Sequence, residues 1–279
     1  MSIDMLQNKI RKLKNPSALV LAPSTDQIPP EMTAGEYCCG LLTGLREIMG
    51  AVRVDPMAFA LIPDGMNALA VVLSKAKELG YYVILDWTKL ESPAQAKSAA
   101  ARILQEECWP CDAVVISGYA GTDTIKVWFK AAGQKKAVFV AVKTANKSGS
   151  ELQDLQTGGR FVYTAATDLV SRMGDAAMER CGYSRLGVMA GAYNAASLRT
   201  IREKYPKMFI LVDGLDETGC NAKNASAAFD QLGHGALVCA NHSIVGAWIE
   251  GEFCSDPIAA AVEAAERMKR NITRYVSIL

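Results

Sequence analysis

The sequence predicts an α/β fold, a single (β/α)8 TIM barrel spanning residues 1–279 as one domain. Three observations carry this. Short, nearly continuous apolar runs recur eight times, as strands buried on both faces require. Amphipathic helical patterns fall between them, and that alternation favours a closed parallel barrel over an open sheet. No Pro/Gly/Ser-rich linker and no long repeat divides the chain, whose length suits a barrel of typically about 250 residues.

The opening MSIDMLQNKIRKLKNPS is amphipathic and charged and lacks the apolar core of a signal peptide. The strand candidates are SALVLA (17–22), AVRV (51–54), YYVILD (81–86), DAVVISG (112–118), KAVFVAVK (136–143), RLGVMAG (185–191), MFILVD (208–213) and GALVCA (235–240). Helical periodicity marks GMNALAVVLSKAKELG and NAASLRTIREKYP between strands, and DPIAAAVEAAERMKRNITRYV closes the barrel. GGR at 158–160 is expected to be a plain turn, since it lacks a flanking strand and the lysine of a phosphate-binding loop.

Composition narrows the function classes. Half the residues are hydrophobic, 21% are charged and the net charge is +1, with no basic run, so nucleic acid is not an expected partner. No apolar stretch approaches the roughly 18 residues of a membrane span, so no membrane partner is expected and the expected compartment is the cytoplasm. Eight cysteines accompany only two histidines, His234 and His242, which argues against a zinc site; no metal and no cofactor are expected. CWPC at 108–111 follows a helix instead of opening one, so no helix N-terminus is there to lower a thiol pKa, and it reads as a helix-to-strand turn. His234 reads as a turn residue before the last strand, and Trp87 as a packing residue.

In a (β/α)8 barrel the chemistry sits at the C-terminal strand ends. Read in order, these supply Arg53, Asp86 with Thr88 and Glu91, Lys143 with Asn146, Tyr193, Asp213, and Asn241 with His242. Arg53 and Lys143 by themselves suggest a small anionic ligand.

The ordered fragments NPSALVLAPSTDQIP, AVRVDPMAF, VILDWTKLES, GYAGTDTI, VFVAVKTANKSGSELQDLQ, GVMAGAYNAASLRTIREKYP, FILVDG and GALVCANHSIVGAW resemble the orotidine 5′-phosphate decarboxylase family, most of all its longer bacterial branch. The resemblance covers essentially the whole chain. It implies a barrel that pairs as a homodimer through the side formed by strands two to four, with active sites at the shared interface. It also implies an alternating Lys-Asp-Lys-Asp array, whose last acid crosses from the partner subunit. Carried over, the array becomes Arg53, Asp86, Thr88 and Glu91, with only Asp86 unchanged. Thr88 replaces the proton-donating lysine, and Lys89 lies one residue off, which on an extended segment points the other way. Arg53 keeps its charge but is a poor acid, its pKa lying above roughly 12.

The implied substrate contacts depart as well. Ala22 stands where the ribose-holding Asp is expected. Tyr193-Asn194-Ala195 replaces a small Thr-Tyr-Pro pattern. DGLDETGCN replaces the glycine-rich phosphate loop, bringing in Asp213, Asp216 and Glu217 and leaving Thr218 and Gly219 as candidate ligand contacts. His242 takes the place of the phosphate-clamping Arg, losing a bidentate fork. The candidate catalytic positions are thus Arg53, Asp86, Thr88 and Glu91, and the candidate ligand-binding residues Lys143, Asn146, Thr218, Gly219 and His242. The expected function is that of a non-catalytic or redirected paralogue, binding a small phosphorylated or anionic ligand or pairing as a homodimer or with an active family member. The alternatives are a divergent but active decarboxylase making UMP in de novo pyrimidine biosynthesis, and an unrelated barrel activity using Asp86, Glu91, Lys143 and His242.

Overall fold

The computed structural model of the chain describes residues 2–105, 108–215, 219–250 and 256–279. Its barrel strands are β1 (Ser17–Leu21), β2 (Ala51–Val54), β3 (Tyr82–Trp87), β4 (Ala113–Ser117), β5 (Ala137–Lys143), β6 (Leu186–Gly191), β7 (Ile210–Asp213) and β8 (Ala236–Ala240). Each falls on one of the apolar runs. Neighbours pair in parallel, and β1 pairs with both β2 and β8, so the sheet closes on itself. The strands are apolar because the barrel interior buries one face and the surrounding helices the other. Inside, Phe139 and Phe209 are fully buried with ring centroids 6.0 Å apart, each such side chain contributing about 1.5–3 kcal/mol of transfer free energy.

The crossovers use α2 (Ala34–Leu45), α3 (Gly65–Glu78), α4 (Pro93–Ala100), α5 (Thr122–Ala132), α6 (Val162–Gly174) and α7 (Ala195–Lys204), with shorter helical turns elsewhere, and α8 (Pro257–Thr273) follows β8; α1 (Ser2–Leu13) precedes β1. Their starts are written in the sequence. Thr33 with Glu36, and Ser92 with Gln95, form reciprocal capping boxes, and Asp256 caps the amides of Ile258 and Ala259 ahead of Pro257.

α1 lies across the N-terminal end of the barrel because Ile3, Leu6 and Ile10 share one buried face. Its first turn is held by Glu179, which accepts from the amides of Ser2 (3.1 Å) and Asp4 (2.8 Å), while the Ser2 and Tyr82 hydroxyls meet at 2.6 Å. At the same end Arg202 of α7 is 8% exposed and donates to the carbonyls of Ala228, Pro206, Met208 and Gly235 at 2.7–3.0 Å. Gly235 has a positive φ of 78°, and a Cβ there would lie 2.4 Å from the Tyr183 ring, over which the Arg202 guanidinium sits at 5.6 Å. Only glycine fits that approach.

Gly158 and Gly159, both with positive φ, form the turn of a short antiparallel pairing, Gln156–Thr157 with Arg160–Phe161; GGR therefore does have flanking strand residues, contrary to the sequence reading. That pairing has two residues on each side, too few to show a period of two. His234 does precede β8, buried against Arg11 and the Leu279 carbonyl. Cys108 is exposed and Cys111 buried in the turn before β4, and neither is in a disulfide.

Candidate functional site at the C-terminal mouth

Strand register decides which side chains enter the mouth. Arg53 of β2 is level with Ile84 of β3, so Arg53, Ile84 and Asp86 share the inward face while Trp87 points outward. On the far wall Met189 is level with Leu211 and Gly191 with Asp213, which turns Met189 and Asp213 inward as well. The result is a brace across the barrel. Arg53 Nη1 lies 2.7 Å from Asp213 Oδ1 and donates to Met189 Sδ at 3.1 Å, and Arg53 Nε is 3.6 Å from Asp86 Oδ2. Nε itself is buried with no hydrogen-bond partner. Asp86 is pinned from its own loop, accepting from the amide (3.1 Å) and hydroxyl (2.8 Å) of Thr88.

Electrostatics follow this geometry. Burial works against the Arg53 charge, but Asp213, Cys239 and Asp86 outweigh it and hold the guanidinium above its ordinary value. For Asp86, burial is the largest influence and raises the carboxyl pKa. Arg53 and Thr88 pull it down, Asp55 and Asp213 push it up, and the net direction is upward.

Lys143 follows a register shift at the end of β5 and turns to Asp154, 2.5 Å away, with the Tyr163 ring 4.9 Å beneath its ammonium. Glu91 accepts from two indoles, Trp128 Nε1 at 2.7 Å and Trp87 Nε1 at 3.3 Å. Lys89 sits 5.3 Å over the Trp87 ring, outside the mouth. Asn146 is exposed and donates to Ser148 in its own turn. Gly219 has φ +89°, with the Tyr193 ring where a Cβ would be. His242 Nδ1 lies 2.8 Å from Gln27 Nε2, tying the segment after β8 to that after β1. Thr218, with Asp216 and Glu217, lies outside the described residues.

Arg53, Asp86 and Thr88 thus converge, while Lys143, Glu91, Asn146 and His242 are each engaged by nearby chain. Asp213 is among the strand ends legible in the sequence, and its pairing with Arg53 is a finding of the structure. Opposite charges at inward-facing strand ends were the available signal. Among the described residues, no cluster of three or more His, Cys, Asp or Glu could hold a metal ion, and no helix is long and apolar enough to cross a membrane.

The chain is 29% identical over 225 residues to an orotidine 5′-phosphate decarboxylase of Rhodopirellula baltica, covering 78% of this chain and 74% of that one. A Toxoplasma gondii structure described as an orotidine-monophosphate decarboxylase superposes with a TM-score of 0.81 at 20% identity, covering 98% of both chains. In sequence the chain is thus similar to orotidine 5′-phosphate decarboxylases, and in fold to their barrels. Leishmania donovani OMP decarboxylase gives a TM-score of 0.76 at 24% identity, over 98% of this chain and 99% of that one, a likeness of fold. No family model matches the chain. As a (β/α)8 barrel, it places an Arg–Asp–Asp brace at the strand ends where such folds hold their ligands.

Proposed function

We propose that this barrel does not decarboxylate orotidine 5′-phosphate and is a redirected or non-catalytic member of its family. The observation that carries the reading is the environment of β3. Thr88 spends its hydroxyl on Asp86, and Lys89, the nearest ammonium in sequence, rests on the outward-facing Trp87 ring. Decarboxylation leaves a carbanion that a fixed ammonium would stabilise, and preorganised charge of that kind is the main catalytic resource. A threonine hydroxyl supplies no positive charge. Loss of one such donor costs about 10²–10³ in rate.

The reading extends to partners. Arg53 and Lys143 are already paired with the chain's own carboxylates, so a partner subunit is better supported than a small phosphorylated or anionic ligand. Leu90 (70% exposed) after β3 and Leu61 (83% exposed) after β2 offer apolar surface for a second copy or for an active family member. Glu91, turned to its own tryptophans, does not reach toward that surface.

Ultraviolet monitoring of orotidine 5′-phosphate tests the activity. The wild type is expected to show at most trace turnover, with activity appearing in a Thr88→Lys, His242→Arg double variant. The second reading, a divergent active decarboxylase forming UMP, is favoured by the name of the Rhodopirellula relative. Robust wild-type turnover would establish that reading instead.

A further inference from the structure

Arg53 and Asp213 form a contact that the family reading does not require. Arg53 is 9% exposed, so its charge is satisfied by the barrel or by whatever enters the mouth. Two carboxylates hold it, and they differ. Asp86 is the less exposed, with 13% of its side chain accessible, and is tied by two donors from Thr88. Asp213 is 24% accessible, ends β7, and makes the shorter ion pair. It is followed by Gly214, whose φ of +71° turns the chain away from the strand.

We propose that Asp213 is the specificity-determining residue of the mouth: its carboxylate occupies the Arg53 guanidinium as an internal anion and so excludes small oxyanions, carboxylate or phosphate, from that position. This deepens, and rests on, the reading of a non-decarboxylating mouth. An oxyanion reaching Arg53 must displace Asp213 and then sit beside two negative groups. Each like-charge contact opposes it, and more strongly in the partly buried mouth than in bulk water. With Asp213 neutralised, Arg53 and Asp86 balance and the guanidinium regains donors for a ligand. The Met189 sulfur on the same Nη1 is a weak acceptor that a charged oxygen readily outcompetes.

Orotate, a small carboxylate, serves as the probe in calorimetric titrations. Asp213→Asn is expected to bind it at least about tenfold more tightly than the wild type, equivalent to about 1.4 kcal/mol. Asp213→Glu, which keeps the charge, should gain nothing, and Asp213→Asn combined with Arg53→Gln should lose the gain. Equal binding by wild type and Asp213→Asn, or a gain that survives loss of Arg53, overturns the assignment. Should the Asn variant not fold, the wild type alone decides: its Arg53 Nε–H resonance should stay unmoved at about 10 mM orotate, and its movement would sink the proposal. The two readings separate cleanly. An inactive wild type whose Asp213→Asn variant gains no orotate binding keeps the function proposed above and rejects Asp213, whereas wild-type turnover of orotidine 5′-phosphate rejects both.

Discussion

The two ends of the barrel each bury an arginine, and they satisfy it in opposite ways. At the N-terminal end Arg202 gives its hydrogen bonds to four backbone carbonyls, fixed dipoles of neutral groups. At the mouth Arg53 is held by the carboxylates of Asp213 and Asp86. Burial lowers the Arg202 pKa, with Tyr183 and Asp230 offsetting part of it, whereas the charges around Arg53 push its pKa up. The difference separates a staple from a site. Carbonyls cannot leave Arg202 without breaking the chain's own connections, but a carboxylate side chain can rotate away or be protonated. The end that carries chemistry in this fold class is therefore the end built from exchangeable charge.

The strongest way to break this comparison is to remove the staple. Arg202→Met keeps apolar bulk but strips the guanidinium from the carbonyls of Ala228, Pro206 and Met208, while the Gly235 carbonyl keeps the Ile210 amide as a donor. Buried acceptors left without partners cost about 1–3 kcal/mol each before relaxation. A loss of about 3–5 kcal/mol in urea unfolding is expected. A loss under about 1 kcal/mol would mean that water replaces the guanidinium and that this end is no more fixed than the mouth.

A smaller loss is expected from Arg53→Met. It leaves Asp86 and Asp213 facing each other, yet Asp213 can reach solvent, so about 1–2 kcal/mol at neutral pH is the expected deficit in the same measurement. The deficit should shrink on acidification, since protonating the stranded carboxyls removes their repulsion. A deficit equal to that of Arg202→Met at every pH would erase the distinction between the two ends.

How far the sequence foretold this arrangement can be read from the same residues. All eight strands were legible because burial on both faces leaves unbroken apolar runs, and strand parity turned Asp86 inward and Trp87 outward. Contacts across the interior were not legible. Arg53 and Asp213 are far apart in the chain and meet only because β2 and β7 close into one barrel. Lys143 was expected to face a ligand, but the register shift before it redirects its ammonium to Asp154. Glu91 was carried over as the acid that crosses to a partner. Its two indole partners come from β3 and α5, and no local spacing announces a carboxylate shared by Trp87 and Trp128. The short pairing around Gly158 and Gly159 escaped because Gln156 and Thr157 carry no apolar signal.

The finest discrimination comes from Asp86→Asn, where the expected change is small but its sign is informative. Burial, with Asp55 and Asp213 adding to it, holds the Asp86 carboxyl above its ordinary value of 3.8 despite Arg53 and Thr88. A raised folded-state pKa means that the folded chain binds this proton more tightly than the unfolded chain does. The stability it contributes is fully present below the unfolded value and is lost as pH rises through the folded one. Asparagine mimics the protonated form and can still accept from Thr88. Wild type and variant should therefore be equally stable well below pH 3.8, and as pH rises past it the variant should pull ahead by a few tenths to about 1 kcal/mol at neutral pH. Thermal melts across that window are the check. A variant that instead falls behind as pH rises would show that ionised Asp86 stabilises the fold through Arg53, as the fixed partners of Arg202 do, and the mouth would then be a second staple and not a site of exchangeable charge.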